Sequence, residues 1–373
     1  MYGLVLSGGG ARAAYQVGVL ACVAERASDV DFSIITGVSA GAINAAFIAG
    51  HQGSGPPVLE DLSALWRKLT VDKVFDTKLG ALGLSSMRWL WTLGRGPRRT
   101  PTPKGLFDTE PLREFLDSVI DVEGIQANVE ARRLRALALT ATRYSTGQTV
   151  TFVQGPEGIP TWERARRCGM RARLTVDHVM ASSALPLVFP AVQIAGEYYG
   201  DGSIRQAAPL APAVHLGADR LLAIATRYEA SLDEVRNRAT DAYPPPARIV
   251  GLLFNTIFLD TLEQDAERLL RLNDLMQALP YGIPNPAGLR PIRLQIVRPS
   301  RDLGLLAAGH KHELPRSVRF MLRGLGASRV QGADLVSYLV FKEPYISELI
   351  ELGYNDTRER WDELERFFAE EAE

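Results

Sequence analysis

Cysteine is the scarcest residue of this chain: Cys22 and Cys168 are the only two in 373 residues. That excludes a disulfide framework and a thiolate metal site, and it suits a reducing compartment. An excess of either charge is also missing. Lys and Arg number 42 against 43 Asp and Glu, a formal net charge of -1, which argues against a nucleic-acid binder dominated by phosphate contacts. Long apolar runs are absent too. None approaches the ~20 residues of a membrane span; Ile249 to Leu259 comes nearest, but Asn255 breaks it and Asp260 ends it. The start, Met1-Tyr2-Gly3-Leu4-Val5-Leu6-Ser7, lacks the basic segment, apolar core and cleavage site of a secretory leader. A cytoplasmic location is expected, with any membrane contact peripheral. Neither internal repeats nor low-complexity tracts are found.

What is present is an ordinary globular composition, 46% hydrophobic and 23% charged, long enough for one large α/β domain with additions or two smaller domains. Tyr2–Leu6 reads as a buried strand, Ala11–Glu25 as a helix and Phe32–Thr36 as the next strand. The spacing predicts another helix over Ala40–Ala49. Arg135–Thr142 and Gln148–Val153 read as a strand pair around Ser145-Thr146-Gly147, and Arg220–Thr226 as a later strand. This alternation predicts a parallel sheet with helices on its faces. Residues 71–107 interrupt the rhythm with Arg88, Trp89, Trp91, Arg95, Arg98, Arg99 and Lys104. They read either as a lid at a lipid headgroup boundary or as packed tryptophans beside a solvated face. Tyr243-Pro244-Pro245-Pro246 marks a boundary. After it come one long amphipathic helix over Ala247–Leu279, a strand over Arg290–Val297, and a last helix over Thr357–Glu371 introduced by Asn355-Asp356. In that last helix Trp361, Leu364, Phe367 and Phe368 form one stripe, expected to dock on the body.

The chemistry concentrates at Ile34-Ile35-Thr36-Gly37-Val38-Ser39-Ala40-Gly41-Ala42-Ile43-Asn44. A β-branched run feeds Gly-x-Ser-x-Gly and a helix-favouring run follows, the context of a nucleophile elbow. Such a turn forces its serine into a strained backbone and presents the hydroxyl at the tip. Gly37 and Gly41 supply room where a Cβ would clash. Ser39 also falls at a helix N-terminus, which favours developing negative charge.

A second element is Ser7-Gly8-Gly9-Gly10-Ala11-Arg12, between the first strand and first helix. Successive glycine N–H groups there form an anion-binding concavity, and in a parallel sheet this loop and the elbow share one end. Gly8-x-Gly10-x-x-Ala13 also fits a dinucleotide fingerprint. That fold wants an acidic residue ending its second strand, whereas Thr36-Gly37 end it here and Asp29 and Asp31 precede it. No Gly-Lys-Ser/Thr follows to make a phosphate-binding P-loop. The third element is Tyr198-Tyr199-Gly200-Asp201-Gly202-Ser203, a carboxylate between glycines at a strand end, or an ordinary Asp-Gly turn. Of the five histidines, His51, His178, His215, His310 and His312, His178 is the most interesting as a rival base, although a helix histidine bonded to backbone is the simpler reading. His310-Lys311-His312 has no acidic cluster beyond Glu313. Neither a metal nor another cofactor is expected.

Together these elements resemble the patatin-like phospholipase family. The glycine loop with its arginine, the Gly37–Gly41 elbow, Ala181-Ser182-Ser183-Ala184-Leu185-Pro186 with Phe189-Pro190, and Asp201-Gly202 occur in the family's order. The resemblance covers roughly Tyr2 to Pro212, with the later helices looking similar to the C-terminal part of bacterial members. It implies a patatin-like, lysophospholipase-like three-layer α/β/α sandwich with a mainly parallel central sheet and a C-terminal helical extension. The domain would span 1–212, with 71–107 as a candidate lid, and 213–373 would complete the core and supply the extension.

Carried over by residue, the resemblance implies Ser39 as nucleophile and Asp201 as its base in a dyad without histidine. Gly8, Gly9 and Gly10 would form the oxyanion hole, with Arg12 holding the loop. Gly37, Gly41 and Gly202 would support the turns. The family's aspartate is followed by Gly and then Gly or Ala; Ser203 takes that last place here. The implied activity is hydrolysis of fatty-acyl esters of phospholipids or lysophospholipids through an acyl-enzyme. Acyl transfer from the same intermediate and a catalytically silent lipid-binding module are the alternatives. An aspartate near its ordinary ~4 is a poor partner for a serine hydroxyl, so burial beside Ser39 is expected to raise it.

Overall fold

In the computed structural model the described residues are 1–76, 104–237, 243–258, 260–278, 289–324 and 332–369. Their strands are β1 (Tyr2–Leu6), β2 (Ile34–Val38), β3 (Ala136–Arg143), β4 (Thr149–Gln154), β5 (Trp162–Arg164), β6 (Arg167–Arg171), β7 (Val192–Ile194), β8 (Glu197–Asp201), β9 (Arg220–Ile224) and β10 (Arg293–Val297). They form one sheet in which eight follow the order β10-β9-β1-β2-β3-β4-β6-β5, while β8 pairs with β3 off that path and carries β7. The first five of that order run parallel. β4 turns back antiparallel on β3 around Ser145-Thr146-Gly147. The β7–β8 hairpin and the β5–β6 pair are short elements with no alternating apolar pattern strong enough to read from sequence.

β2 and β9 are buried along their whole length, as expected of strands covered on both faces. Alternate residues feed two cores. Leu4, Leu6, Ile35, Leu137, Leu139, Leu222 and Ile224 point to one side. Val5, Ile34, Ala136, Ala138, Leu221 and Ala223 point to the other. The first side is covered by the helices Ala14–Arg26, Ala40–Gly50 and Glu343–Glu359. The second is covered by Ala211–His215 and Asp260–Ala278, through Ala213, Leu262 and Ala266. The result is the three-layer sandwich with a mainly parallel sheet.

The C-terminal helices are part of this core. Helix Glu343–Glu359 lies so close to helix Ala14–Arg26 that a Cβ on Gly18 would stand 1.9 Å from the Ile350 carbonyl oxygen, and one on Gly353 2.2 Å from that of Tyr15. Asn355 and Asp356 therefore do not introduce the last helix. They sit inside Glu343–Glu359, where the buried Asp356 accepts from Tyr15 Oη (3.0 Å) and Ser300. The last helix is Trp361–Ala369. Its Leu364 and Phe367 are buried, and Phe367 and Phe368 pack edge-on against Tyr2. Of the helix expected over 247–279, Pro246–Phe258 and Asp260–Ala278 are helical, and residues 259 and 279 lie outside the described residues.

Of the candidate lid, 77–103 lie outside the described residues, including Arg88, Trp89, Trp91, Arg95, Arg98 and Arg99. Its ends are core. Val71, Val74, Phe75 and Phe107 are buried, and the Phe75 ring meets Phe107 at 4.3 Å and Phe189 at 5.9 Å. Among the described residues no helix is long and apolar enough to cross a membrane.

Candidate active site

Strand register brings the three elements together. Leu6 of β1 pairs with Gly37 of β2, so the glycine loop and the elbow leave the sheet at the same end. Val38 pairs with Thr140 on β3, and the next residue of β3, Ala141, pairs with Asp201. β8 thus takes over the edge of β3 where β2 leaves it. Ser39, the residue after Val38, is thereby set beside Asp201.

Ser39 has φ 55° and ψ -131°, a region non-glycine residues avoid and that recurs at functional sites. The strain persists because the turn is fixed from all sides. Ser39 N–H donates to Ser182 Oγ (3.0 Å), and Ser182 Oγ–H donates to the Thr140 carbonyl (2.6 Å). A Cβ on Gly41 would stand 2.4 Å from the Leu6 carbonyl oxygen, and one on Gly37 2.6 Å from that of Gly41. Gly202 is as tight, 2.1 Å from the Thr140 carbonyl oxygen. Below the elbow runs a buried polar chain. Trp66 Nε1 donates to Asn44 Oδ1 (2.6 Å), Asn44 Nδ2 to Gln16 Oε1 (2.9 Å), and Gln16 Nε2 to the Ser7 carbonyl (2.8 Å). It ties the elbow helix to the glycine loop, and each buried polar group in it is satisfied.

The loop itself is shaped by left-handed backbone at Gly9 (φ 151°) and Gly10 (φ 57°). Thr226 Oγ1 donates to the Gly8 carbonyl (2.6 Å), which turns that peptide. Among the described residues the N–H groups of Gly8, Gly9 and Gly10 have no backbone partner. Gly8 borders the serine, since a Cβ there would lie 3.0 Å from Ser39 Cβ and 3.6 Å from its Oγ. Arg12 faces elsewhere. Its Nε donates to Ser337 Oγ (2.6 Å), its Nη2 pairs with Asp334 (2.9 Å), and its guanidinium lies 4.6 Å from the Tyr338 ring centroid. It holds the loop by tying it to helix Ala333–Leu339.

Asp201 is fully buried. Its Oδ1 accepts from Ser203 N–H (2.9 Å), while Oδ2 has no hydrogen-bond partner among the described residues. Burial raises its pKa to about 7, against the hydroxyls of Ser39 and Ser203 and the Ser203 N–H, which favour the charged form. Desolvation therefore dominates, and the shift has the direction expected from the sequence.

The histidines are occupied away from Ser39. His178 closes a capping box with Thr175, lies edge-on to Phe152, and is held neutral by burial, its pKa lowered to about 4. His51 meets Asp61, His215 stacks on Trp162, His310 lies between Glu313 and Glu348, and His312 bonds the Gly309 carbonyl.

A narrow apolar pocket of about 30 Å³ opens beside Ser39, walled by Ile43, Leu69, Leu112, Phe189, Tyr338 and Phe341. Sequence reasoning missed Tyr338 and Phe341. They come from the C-terminal part, far along the chain, and carry no local motif. Ser182 and Thr226 were missed as well; Ser182 lay inside a run that the resemblance had already marked. A larger cavity of about 400 Å³, lined in part by Phe32, Ile48, Val58 and Arg133, opens near the start of β2 and includes none of the candidate site residues.

The family model for patatin-like phospholipase matches residues 4–214. The chain belongs to the patatin-like phospholipase family. Among solved structures it is similar to VipD from Legionella pneumophila, at 13% identity and a TM-score of 0.40 over 97% of this chain and 67% of that one. It is also similar to human GIVD cytosolic phospholipase A2 in complex with methyl gamma-linolenyl fluorophosphonate. There the identity is 14% and the TM-score 0.45, over 98% of this chain and 58% of that one. The chain thus spans about three-fifths to two-thirds of the length of these relatives. No curated protein matches it.

Proposed function

We propose that this patatin-like chain is a serine lipid acyl hydrolase that cleaves fatty-acyl esters of phospholipids or lysophospholipids with a Ser39–Asp201 dyad. The observation that carries the reading is the register of β3, which sets a strained Ser39 beside a buried carboxylate, one oxygen of which has no hydrogen-bond partner among the described residues. Asp201 takes the Ser39 proton as Oγ attacks the acyl carbonyl. The N–H groups of the Gly8–Gly10 loop stabilise the oxyanion, in a site dry enough to strengthen them. Asp201 returns the proton to the leaving alcohol. Water, deprotonated by Asp201, then attacks the acyl-enzyme, the Ser39 Oγ–acyl bond breaks, and the proton returns to Oγ.

The walls beside Ser39 are apolar, as the first carbons of an acyl chain require, and a lipid partner follows from the family. Contact with the lipid surface is peripheral in this reading. Acyl transfer to an alcohol or thiol is the second reading, favoured by the 3% exposure of Ser39, which limits water. The test is fatty-acid release from vesicles of phospholipid, lysophospholipid and neutral glyceride, comparing wild type with Ser39→Ala. Release that vanishes in the variant supports hydrolysis. Equal release from both proteins overturns the Ser39 assignment, and ester formation on an added acceptor alcohol selects transfer.

A further inference from the structure

Ser203 stands where the chain departs from the pattern it otherwise resembles. It is only 5% exposed, and its Oγ and Asp201 Oδ2 are both buried without a hydrogen-bond partner among the described residues. Its N–H already holds Asp201 Oδ1 at 2.9 Å. A Cβ built on Gly8 would lie 3.0 Å from Ser203 Oγ and 3.0 Å from Ser39 Cβ. The hydroxyl therefore sits on the serine side of the glycine loop, next to the carboxylate. A buried hydroxyl with no partner is destabilising. One with a rotatable proton next to a carboxylate gains a strong, charge-assisted partner once that carboxylate ionises.

We propose that Ser203 is a positioning residue for the base, its hydroxyl donating to the Asp201 carboxylate whenever that group is ionised and so extending downward the pH range in which Asp201 can take the Ser39 proton. The inference rests on the Ser39–Asp201 reading of the site. The groups facing Asp201 are Ser39 from the elbow, Ser203 from the turn after β8, and the phenol of Tyr144 from the turn after β3, which feels the Asp201 charge. His178, on the neighbouring helix Val176–Ser182, is held by Thr175, and Arg143 of β3 points to the Tyr199 ring. Both serine hydroxyls favour the charged carboxylate, while burial opposes it.

The experiment is the pH profile of kcat/KM for Ser203→Ala and Ser203→Thr against wild type on one ester. The alanine variant keeps the backbone N–H bond and removes only the hydroxyl. Its acid limb is expected to move up by about one pH unit, the worth of one hydrogen bond to a charged group, with the alkaline plateau nearly unchanged. Threonine restores the wild-type limb. An unmoved limb in Ser203→Ala, or a threonine variant that behaves like alanine, overturns the proposal. A ¹³C titration of the Asp201 side-chain carboxyl in wild type and Ser203→Ala reads the same shift without turnover. If wild type hydrolyses nothing, the proposed activity fails, yet the titration still decides the Ser203 role: a midpoint that rises in Ser203→Ala supports it, and identical midpoints overturn it.

Discussion

Replacing Asp201 by asparagine should make the protein inactive and, above neutral pH, more stable. Asp201 is fully buried, and its pKa is raised from 3.8 to about 7 by that burial. A carboxyl whose folded value lies above its unfolded value binds its proton more tightly in the folded state. Stability is then greatest below 3.8 and is lost as pH rises through about 7. Each pH unit across that interval is worth about 1.4 kcal/mol, so an ionised Asp201 costs the folded protein about 4 kcal/mol at pH 8. Asparagine has nearly the same shape, carries no charge, and can still accept the Ser203 N–H through its amide oxygen. Urea unfolding of wild type and Asp201→Asn at pH 4 and pH 8 checks this. The variant should gain about 4 kcal/mol at pH 8 and less than about 1 kcal/mol at pH 4. Comparing the two proteins at each pH cancels the titration of every other carboxyl. A variant less stable than wild type at pH 8, or a difference independent of pH, refutes the account of a base held in a costly buried state.

Two further substitutions test the scaffold. Ser39→Gly should abolish acyl-ester hydrolysis while raising stability by about 1 kcal/mol, because glycine adopts φ 55° without strain; thermal unfolding measures the gain, and a loss of stability would contradict it. Arg12→Ala should cost about 2 kcal/mol, since it removes a buried guanidinium bonded to Ser337 and Asp334. The half-exposed Asp334 left behind can still be solvated, which keeps the loss below that of a fully buried pair. A denaturant midpoint unchanged from wild type would refute the role of Arg12 as the tie between the glycine loop and helix Ala333–Leu339.

The parallel half of the sheet was legible because its signals are local. Tyr2–Leu6 is a mostly apolar run that stops at the Ser7-Gly8-Gly9-Gly10 turn, and Ile34–Val38 is a β-branched run ending in the elbow. Gly-x-Ser-x-Gly carries its own steric logic, visible as the 2.4 Å approach at Gly41. The juxtaposition of Ser39, Gly8 and Asp201 followed from motif order. The register that produces it, with β8 replacing β2 along β3, has no signature in sequence. The same limit hid Tyr338 and Phe341, whose place at the pocket depends on helix packing far along the chain. Asn355-Asp356 misled because an Asn-Asp pair suits a helix start, yet packing against Tyr15 and Ser300 overrides that preference.

The central claim is that Ser39 is the activated nucleophile, and the most direct test is where a fluorophosphonate reacts. Wild type and Ser39→Ala are exposed to a long-chain fluorophosphonate at pH 8, and the adduct is located by peptide mass mapping. The account predicts one adduct per chain, on Ser39, absent in Ser39→Ala and strongly slowed in Asp201→Asn. A folded wild type that forms no adduct, or an adduct on another residue that survives Ser39→Ala, would contradict it.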